Sequence, residues 1–258
     1  MIYHNKSEII DWRYNGNQIN LAYNNNGVIF GKEPIKGIGI EDFNFNYNFK
    51  NYDSTTQTVP NDPSANWNQD LVLQGTPVVN TDHITVTNSD AYAQYPFNST
   101  SENIFNKNSS SVMTIIYKVS GCSGIDLISN RGYIKNSNSG GYNWMVRPQS
   151  NNYMYLHDSS GQKGGLRVTT NPNIVVMTVD SSRYLTIKSI TDNTSVTNVS
   201  CNFGNTSGRI CFFCANFGNT STTYINERFN GVCYWMFQAN RVLTNEEITQ
   251  VINYNENL

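Results

Sequence analysis

The sequence has few charged residues and no long hydrophobic run. Only 14% of the 258 residues are charged, and 17 basic residues against 19 acidic ones give a formal net charge of -2. Because the basic residues are few, scattered and offset by acids, the composition argues against nucleic-acid binding. There is no run of about 18 apolar residues, so we predict no membrane span. Solubility must therefore come from uncharged polar residues, chiefly Asn, Ser, Thr and Gly.

The first residues also do not have the pattern of a secretion signal. The first residues, MIYHNKSEIIDWRYNG, lack the basic segment followed by an apolar segment that marks a signal peptide. We therefore predict assembly in a host cytoplasm, with an extracellular protein whose signal has been removed as the alternative.

The cysteines do not form a complete disulfide framework, because five of them cannot all pair within one chain. Cys211 and Cys214 have the CxxC spacing, and with Cys201 and Cys233 they could make a four-thiolate zinc site. Inside an apolar strand, however, Cys211 and Cys214 point to opposite faces. We therefore interpret the cysteines as small buried hydrophobic residues and predict no metal site.

The clearest pattern lies near the C-terminus. Residues 232–239 alternate and are rich in aromatics, which predicts a strand with both faces largely covered. After it, Thr244 can cap a helix while Glu247 reaches back to the cap as a capping box. The helix then carries one narrow apolar stripe, formed by Ile248, Val251 and Ile252. We predict a short helix that packs this stripe on the body of the protein.

This segment resembles the closing segment of laminin-G-like domains in the concanavalin A-like lectin/glucanase superfamily. In that family the last strand carries an FNG turn, and a short helix closes the jelly roll. The matching positions here are Phe229, Asn230, Gly231, Arg241, Leu243, Thr244, Glu247 and Ile248. The resemblance covers roughly residues 38–258 and implies one laminin-G-like jelly-roll domain.

Alternating or apolar runs separated by Gly, Asn and Ser turns predict a series of strands over that domain. They lie at 38–50, 71–73, 78–79, 83–86, 112–119, 125–129, 142–147, 153–157, 173–179, 183–190 and 210–215. The first is predicted to be half-buried, with Phe43, Phe45, Tyr47 and Phe49 on one face, and residues 51–68 to be a surface loop. Strands at such short spacing predict an all-β, antiparallel jelly-roll sandwich.

Residues 1–37 form a separate predicted unit. Short strands joined by an Asn15-Gly16 turn and an Asn-rich turn at 24–27 predict a small three-stranded β meander. So small a unit has too little core to be stable alone, so we predict a docking or assembly element. Its attachment residues are Ile9, Trp12, Tyr14, Ile19, Leu21, Tyr23 and Phe30. This element resembles the N-terminal segments of some tailed-phage virion proteins.

Motifs for catalysis are missing. Glucanases of the superfamily carry an E-x-D-x-x-E pattern that sets two carboxylates across a sugar, and this chain has none. The three histidines belong to no nucleophile motif. We predict that the chain is not an enzyme and has no catalytic residues. Asp53, Asp62 and Asp70 could supply oxygens to calcium but fit no recognised loop, so we predict no cofactor, with calcium as the alternative.

Sugar binding suits the predicted fold better, because an aromatic ring can stack on the apolar face of a sugar while polar groups bind its hydroxyls. The predicted carbohydrate-binding residues are Trp67, Trp144, Arg147, Tyr153 and Tyr155. The alternative interpretation is that Trp144 and Tyr155 are core or cross-strand residues.

Together these patterns predict a virion surface structural protein, such as a head fibre, capsid decoration or tail-associated protein, that presents a lectin-like domain. Its partners would be other virion proteins, further copies of itself in a homo-oligomer, and a cell-surface glycan. The first alternative is a secreted bacterial carbohydrate-binding or adhesion module. The second is a divergent glycoside hydrolase.

Overall fold

A computed structural model describes the backbone of residues 13–14, 17–18, 22–24, 27–30, 34–87, 91–95, 112–123, 126–133, 140–149, 152–203, 208–216, 225–226 and 228–257. The strands in chain order are β1 Arg13–Tyr14, β2 Asn17–Gln18, β3 Ala22–Asn24, β4 Gly27–Phe30, β5 Phe43–Asn48, β6 Thr58–Val59, β7 Leu71–Val72, β8 Gln74–Gly75, β9 Val78–Val79, β10 Ile84–Val86, β11 Ala91–Tyr95, β12 Met113–Ser120, β13 Ile128–Tyr133, β14 Gly140–Pro148, β15 Tyr153–Asp158, β16 Gly161–Arg167, β17 Asn173–Val179, β18 Tyr184–Ser189, β19 Thr194–Ser200, β20 Gly208–Phe212, β21 Ala215–Asn216, β22 Ile225–Asn226 and β23 Gly231–Ala239. Short 3-10 turns lie at Ile35–Ile38 and Phe49–Asn51, and helix α1 is Asn245–Glu256.

Two antiparallel sheets make up the body of the protein. The seven-stranded sheet has the order β16-β15-β14-β13-β20-β11-β8. The eight-stranded sheet has the order β19-β18-β17-β12-β23-β10-β9, and β5 also pairs with β23. Buried residues of both sheets form the main core between them. This confirms the predicted all-β sandwich of the jelly-roll kind with a short C-terminal helix.

A second core lies between the eight-stranded sheet and helix α1, which explains why β5 is covered on both sides. The aromatic face of β5 was predicted to be buried and its asparagine face to be exposed. Instead Asn44, Asn46 and Asn48 are all buried. Asn255 of the helix donates to Asn46 Oδ1 at 2.9 Å, and Asn48 donates to the Asn255 carbonyl at 3.1 Å. Asn44 instead donates to Gln238 and to Asn240 at the end of β23. The prediction of a half-buried strand was wrong because the helix and β23 satisfy these amides.

The predicted grouping of four aromatics on one face of β5 was also wrong. The register with β23 passes from Phe45↔Gln238 to Phe43↔Ala239, so Asn44 is an extra residue in the strand. Such a β-bulge shifts the residues on one side of it to the opposite face. Phe43 therefore packs in the second core and stacks on Phe237 at 5.4 Å, whereas Phe45 lies in the main core.

Helix α1 begins as the sequence predicts. Thr244 accepts a hydrogen bond from the Glu247 backbone, and the Glu247 carboxylate accepts one from the Thr244 backbone at 2.8 Å. Arg241 adds a bidentate pair to Glu247, at 2.8 and 2.6 Å, and donates to the Glu41 carbonyl. Val251 of the predicted stripe is fully buried, and Ile248 and Ile252 pack partly against the second core. In the parts of the chain described here, no helix is long and apolar enough to span a membrane.

Other differences arise where tertiary contacts override local composition. The predicted surface loop at 51–68 contains strand β6 and buries Val59 and Trp67 in the main core. Strands β16 and β19 were not predicted, because GQKGGLR and TSVTNVS carry little apolar periodicity. Both lie at one end of a sheet, where pairing with one neighbour defines the strand.

The N-terminal segment forms two hairpins in its described residues. β1 pairs with β2 across Asn15-Gly16, and β3 pairs with β4 across Asn25-Asn26, as the two predicted turns require. Within these strands no pairing joins the two hairpins into one meander. The division of the chain at residue 37 stays a prediction. Ile35, just before it, is fully buried in the second core.

All five cysteines keep a thiol and are buried. Burial raises the pKa of Cys122 and of Cys201 to about 12. Because the thiolate is the reactive form and the metal-binding form of cysteine, these two side chains are chemically quiet. Their positions agree with small hydrophobic residues in the core.

Candidate functional site

Tyr153 and Tyr155 lie side by side on the outer surface of the seven-stranded sheet. In their strand β15, Met154, Leu156 and Asp158 are buried. Because successive residues of a strand face opposite sides, the two tyrosines point away from the core. Both are partly exposed, and their ring centroids lie 5.8 Å apart with the planes inclined by 17°. The strand thus presents two nearly parallel rings.

A bulge in the neighbouring strand β16 supports one of these rings. The register passes from Met154↔Leu166 to Tyr155↔Gly164, so Gly165 is an extra residue. Gly165 has φ 131°, a conformation that glycine adopts readily. A Cβ at this position would lie 2.8 Å from Cε1 of Tyr155. The Tyr155 ring therefore rests directly on the Gly165 backbone.

An arginine stands opposite each tyrosine. Arg167 of β16 pairs with Tyr153, and Arg147 of β14 pairs with Tyr155. Directly opposite residues have Cβ atoms about 4.5–5.5 Å apart and share a face. Arg167 is exposed. Tyr153, Tyr155, Arg147 and Arg167 are called the tyrosine face below.

Arg147 is held from beneath by a buried carboxylate. Its Nε donates to Oδ1 of Asp126 at 2.6 Å, with the Arg147 side chain 11% exposed and that of Asp126 fully buried. A buried ion pair is costly to break, because removing one partner leaves the other charge uncompensated. The pair fixes Arg147 and cancels its charge, so the exposed positive charge of the tyrosine face comes from Arg167.

The structure brings together three of the five predicted sugar-binding residues, Arg147, Tyr153 and Tyr155. The two tryptophans lie elsewhere. Trp67 is 7% exposed, packs edge-on against Tyr95 at 4.9 Å and stacks on Phe212 at 6.1 Å. Trp144 is 1% exposed in the main core. Arg167 and Gly165 were missed, because β16 was not predicted as a strand.

The three aspartates considered for calcium are bound by their own surroundings. Asp62 accepts hydrogen bonds from the Ile35 backbone at 3.1 Å, from the Ser64 backbone at 2.9 Å and from the Tyr254 hydroxyl at 3.1 Å. Asp70 accepts one from the Asn61 backbone, and Asp53 accepts one from Thr55. Among the described residues, no group of three or more His, Cys, Asp or Glu is placed to hold a metal ion.

The predicted attachment residues fall largely outside the described residues, which exclude Ile9, Trp12, Ile19 and Leu21. The other three lie in the hairpins, where Tyr14 pairs with Asn17, Tyr23 with Val28 and Phe30 with Ala22. Their role in attachment stays a prediction.

Solved structures resemble this chain in fold. One is a Trypanosoma rangeli sialidase in complex with sialic acid, with a TM-score of 0.56, 10% identity, and cover of 90% of this chain and 35% of the sialidase. Another is the binding domain of botulinum neurotoxin DC in complex with SialylT, with a TM-score of 0.52, 11% identity, and cover of 84% and 52%. This chain thus spans about a third of the sialidase and about half of the toxin domain. No protein-family model and no curated protein matches the sequence.

We predicted from the fold class and the missing motifs that the chain is not an enzyme. That prediction is wrong, because neither observation excludes enzymatic activity. Several of the structures that this chain resembles, over about a third of their own length, are sialidases. The sequence argument tested for two facing carboxylates, and sialidases are an exception to that mechanism because their nucleophile is a tyrosine. The missing E-x-D-x-x-E pattern therefore excludes one glucanase mechanism, not enzymatic activity in general.

Proposed function

We propose that this chain is a glycan-binding module and that the tyrosine face binds acidic sugars. The observation that carries the proposal is the pair of partly exposed, nearly parallel rings of Tyr153 and Tyr155, with an arginine opposite each. A pyranose ring can stack its apolar face on such a ring. A guanidinium recognises a carboxylate through two parallel hydrogen bonds, and Arg167 is exposed and placed to do so.

Two further observations support an acidic ligand. The exposed charge of the face is positive, since Arg147 is neutralised by Asp126 and Arg167 is not part of that pair. Among structures with the same fold, the Trypanosoma rangeli sialidase holds sialic acid, a sugar that bears a carboxylate.

The test is a calorimetric titration with 3′-sialyllactose, using lactose as the uncharged comparison. We expect Tyr155→Ala to weaken sialyllactose binding by about tenfold, the loss of one ring contact. Arg167→Gln should weaken sialyllactose binding and leave any lactose binding unchanged. The matched control is Tyr184→Ala, which removes a tyrosine that is 45% exposed on the other sheet. Equal affinities for the wild type and Tyr155→Ala, or no binding by the wild type, would overturn the proposal.

We also propose, from the sequence resemblances, that the module is of the laminin-G-like kind and is displayed on a virion surface as a homo-oligomer attached through residues 1–37. A secreted adhesion module is the alternative. Light scattering on the whole chain and on a chain lacking residues 1–37 separates the two. An oligomer that becomes a monomer on truncation supports attachment by this segment, and a monomer in both cases contradicts it.

A further inference from the structure

The edge of β23 changes its partner at Tyr234. Cys233 pairs with Ile84 of β10, whereas Trp235 pairs with Asn48 of β5. Because β12 occupies the other edge of β23 along its length, β10 and β5 must share this one. The two strands therefore diverge at Tyr234, and a gap opens between their ends.

A bulge on the opposite edge of β23 falls at the same residue. The register with β12 passes from Lys118↔Trp235 to Val119↔Cys233, which leaves Tyr234 as the extra residue. Bulges commonly re-aim a side chain next to functional sites. The Lys118 ammonium lies over the Tyr234 ring, 4.8 Å from its centroid, and the centroid of the tilted His83 ring lies 4.9 Å away.

The end of helix α1 brings a carboxylate to the gap. Glu256 accepts hydrogen bonds from Trp235 Nε1 at 2.7 Å and from Lys118 Nζ at 2.6 Å. A helix C-terminus favours cations over anions, so the helix dipole does not account for an acid in this place. Burial, with the negative charges of Asp82 and Glu256, raises the pKa of Tyr234, so its hydroxyl stays protonated and lies near two carboxylates.

These groups line a cleft of about 120 Å³. The lining residues are Asn48, Lys50, Asp82, Lys118, Tyr234, Trp235, Asn255 and Glu256. The volume is somewhat smaller than the roughly 150 Å³ cavity that holds a benzene ring, so the cleft admits one side of a single six-membered ring and leaves the rest of the ligand in solvent. Two lysines and two acidic residues make the lining neutral overall. Together these residues supply hydrogen-bond donors and acceptors around the Tyr234 ring. This chemistry matches an uncharged ring that bears hydroxyl groups.

We propose that this cleft is a second binding site, which takes a single neutral hexopyranose. The pyranose packs against the exposed part of the Tyr234 ring, while Asp82, Glu256 and the lysines bind its hydroxyl groups. The site lies on the eight-stranded sheet and shares no residue with the tyrosine face, so it does not depend on the proposed function.

The test is saturation-transfer NMR of the whole chain with the methyl pyranosides of glucose, galactose, mannose and N-acetylglucosamine. We expect at least one of them to bind the wild type, and Tyr234→Ala to weaken that binding by about tenfold. Tyr234→Phe keeps the ring and should retain most of the affinity. Asp82→Asn, at an exposed position, should weaken binding by about fivefold through loss of an acceptor without disturbing the core.

Controls separate this site from the tyrosine face. Tyr155→Ala should leave pyranoside binding unchanged, and Tyr234→Ala should leave sialyllactose binding unchanged. The inference is overturned if none of the four pyranosides binds the wild type. It is also overturned if Tyr234→Ala and Asp82→Asn both bind the pyranoside like the wild type, or if Tyr155→Ala abolishes that binding.

Discussion

The tyrosine face and the cleft at Tyr234 are assembled in different ways. The tyrosine face comes from three consecutive strands, β14, β15 and β16, so chain neighbours are also neighbours in the sheet. The cleft draws on β5, the turn before β10, β12, β23 and helix α1, which are far apart in the chain. The first carries an exposed positive charge from Arg167 and the second is neutral overall. One sandwich thus offers two surfaces with different ligand preferences on its two sheets.

Both surfaces nevertheless depend on the same device, an extra residue in a strand. Gly165 is the extra residue beneath Tyr155, and Tyr234 is itself the extra residue at the cleft. The bulge in β16 brings the Gly165 backbone beneath the Tyr155 ring, and the bulge in β23 is at Tyr234 itself. The comparison therefore predicts that changes at the bulges affect binding more than they affect stability.

The largest expected effect is a difference in the free energy of unfolding between a variant of a core aromatic residue and a variant of a surface aromatic residue. Trp144→Ala should destabilise the fold by about 3–5 kcal/mol, because it removes a large, fully buried side chain. Tyr155→Ala, which removes a partly exposed ring, should cost about 1 kcal/mol or less. Urea unfolding measures both. Similar losses for the two variants would contradict the separation of Trp144 from the tyrosine face.

A glycine pair tests the bulge beneath Tyr155. Gly165→Ala and Gly161→Ala both place a Cβ on a residue with positive φ, 131° and 113°, so each should cost about 1–2 kcal/mol in backbone strain. Only at Gly165 does the new Cβ meet Tyr155; nothing lies within 4 Å at Gly161. Sialyllactose binding should therefore fall for Gly165→Ala and persist for Gly161→Ala. If both variants bind equally well, the support of the ring by Gly165 is refuted.

The smallest effect concerns the helix that carries Glu256 to the cleft. The hydrogen bonds from Arg241, and then from Thr244, lower the pKa of Glu247 below its ordinary value of 4.5. Its contribution to stability is therefore fully present above about pH 4.5 and is lost as the pH falls through the lower folded-state pKa. Glu247→Gln lacks this contribution at every pH. Melting temperatures should differ near neutral pH and converge in acid; a pH-independent difference would contradict the ion pair.

The sequence predicted the parts of the fold that local patterns define. The capping box at Thr244 and the alternation of β23 and β15 needed no knowledge of distant contacts. The burial of Asn46 and Asn48 could not be predicted, because it depends on Asn255, which is 207 residues away from Asn48. Phe43 lies on the opposite face of β5 from Phe45 because of the bulge at Asn44, and that bulge depends on pairing with β23. The local sequence around Trp67 and Trp144 resembles that around surface binding residues. Only their packing in the folded protein shows that they are core residues.

The two surfaces can be located in one measurement, the mapping of backbone amide shifts by NMR as each ligand is added to the wild type. We expect 3′-sialyllactose to shift amides in 153–158 and 161–167, and the neutral pyranoside to shift amides around 82–83, 234–235 and 255–256. Saturating one set should leave the other free to respond. If both ligands shift the same amides, or if sialyllactose leaves 153–167 unchanged, the assignment of two separate surfaces is contradicted.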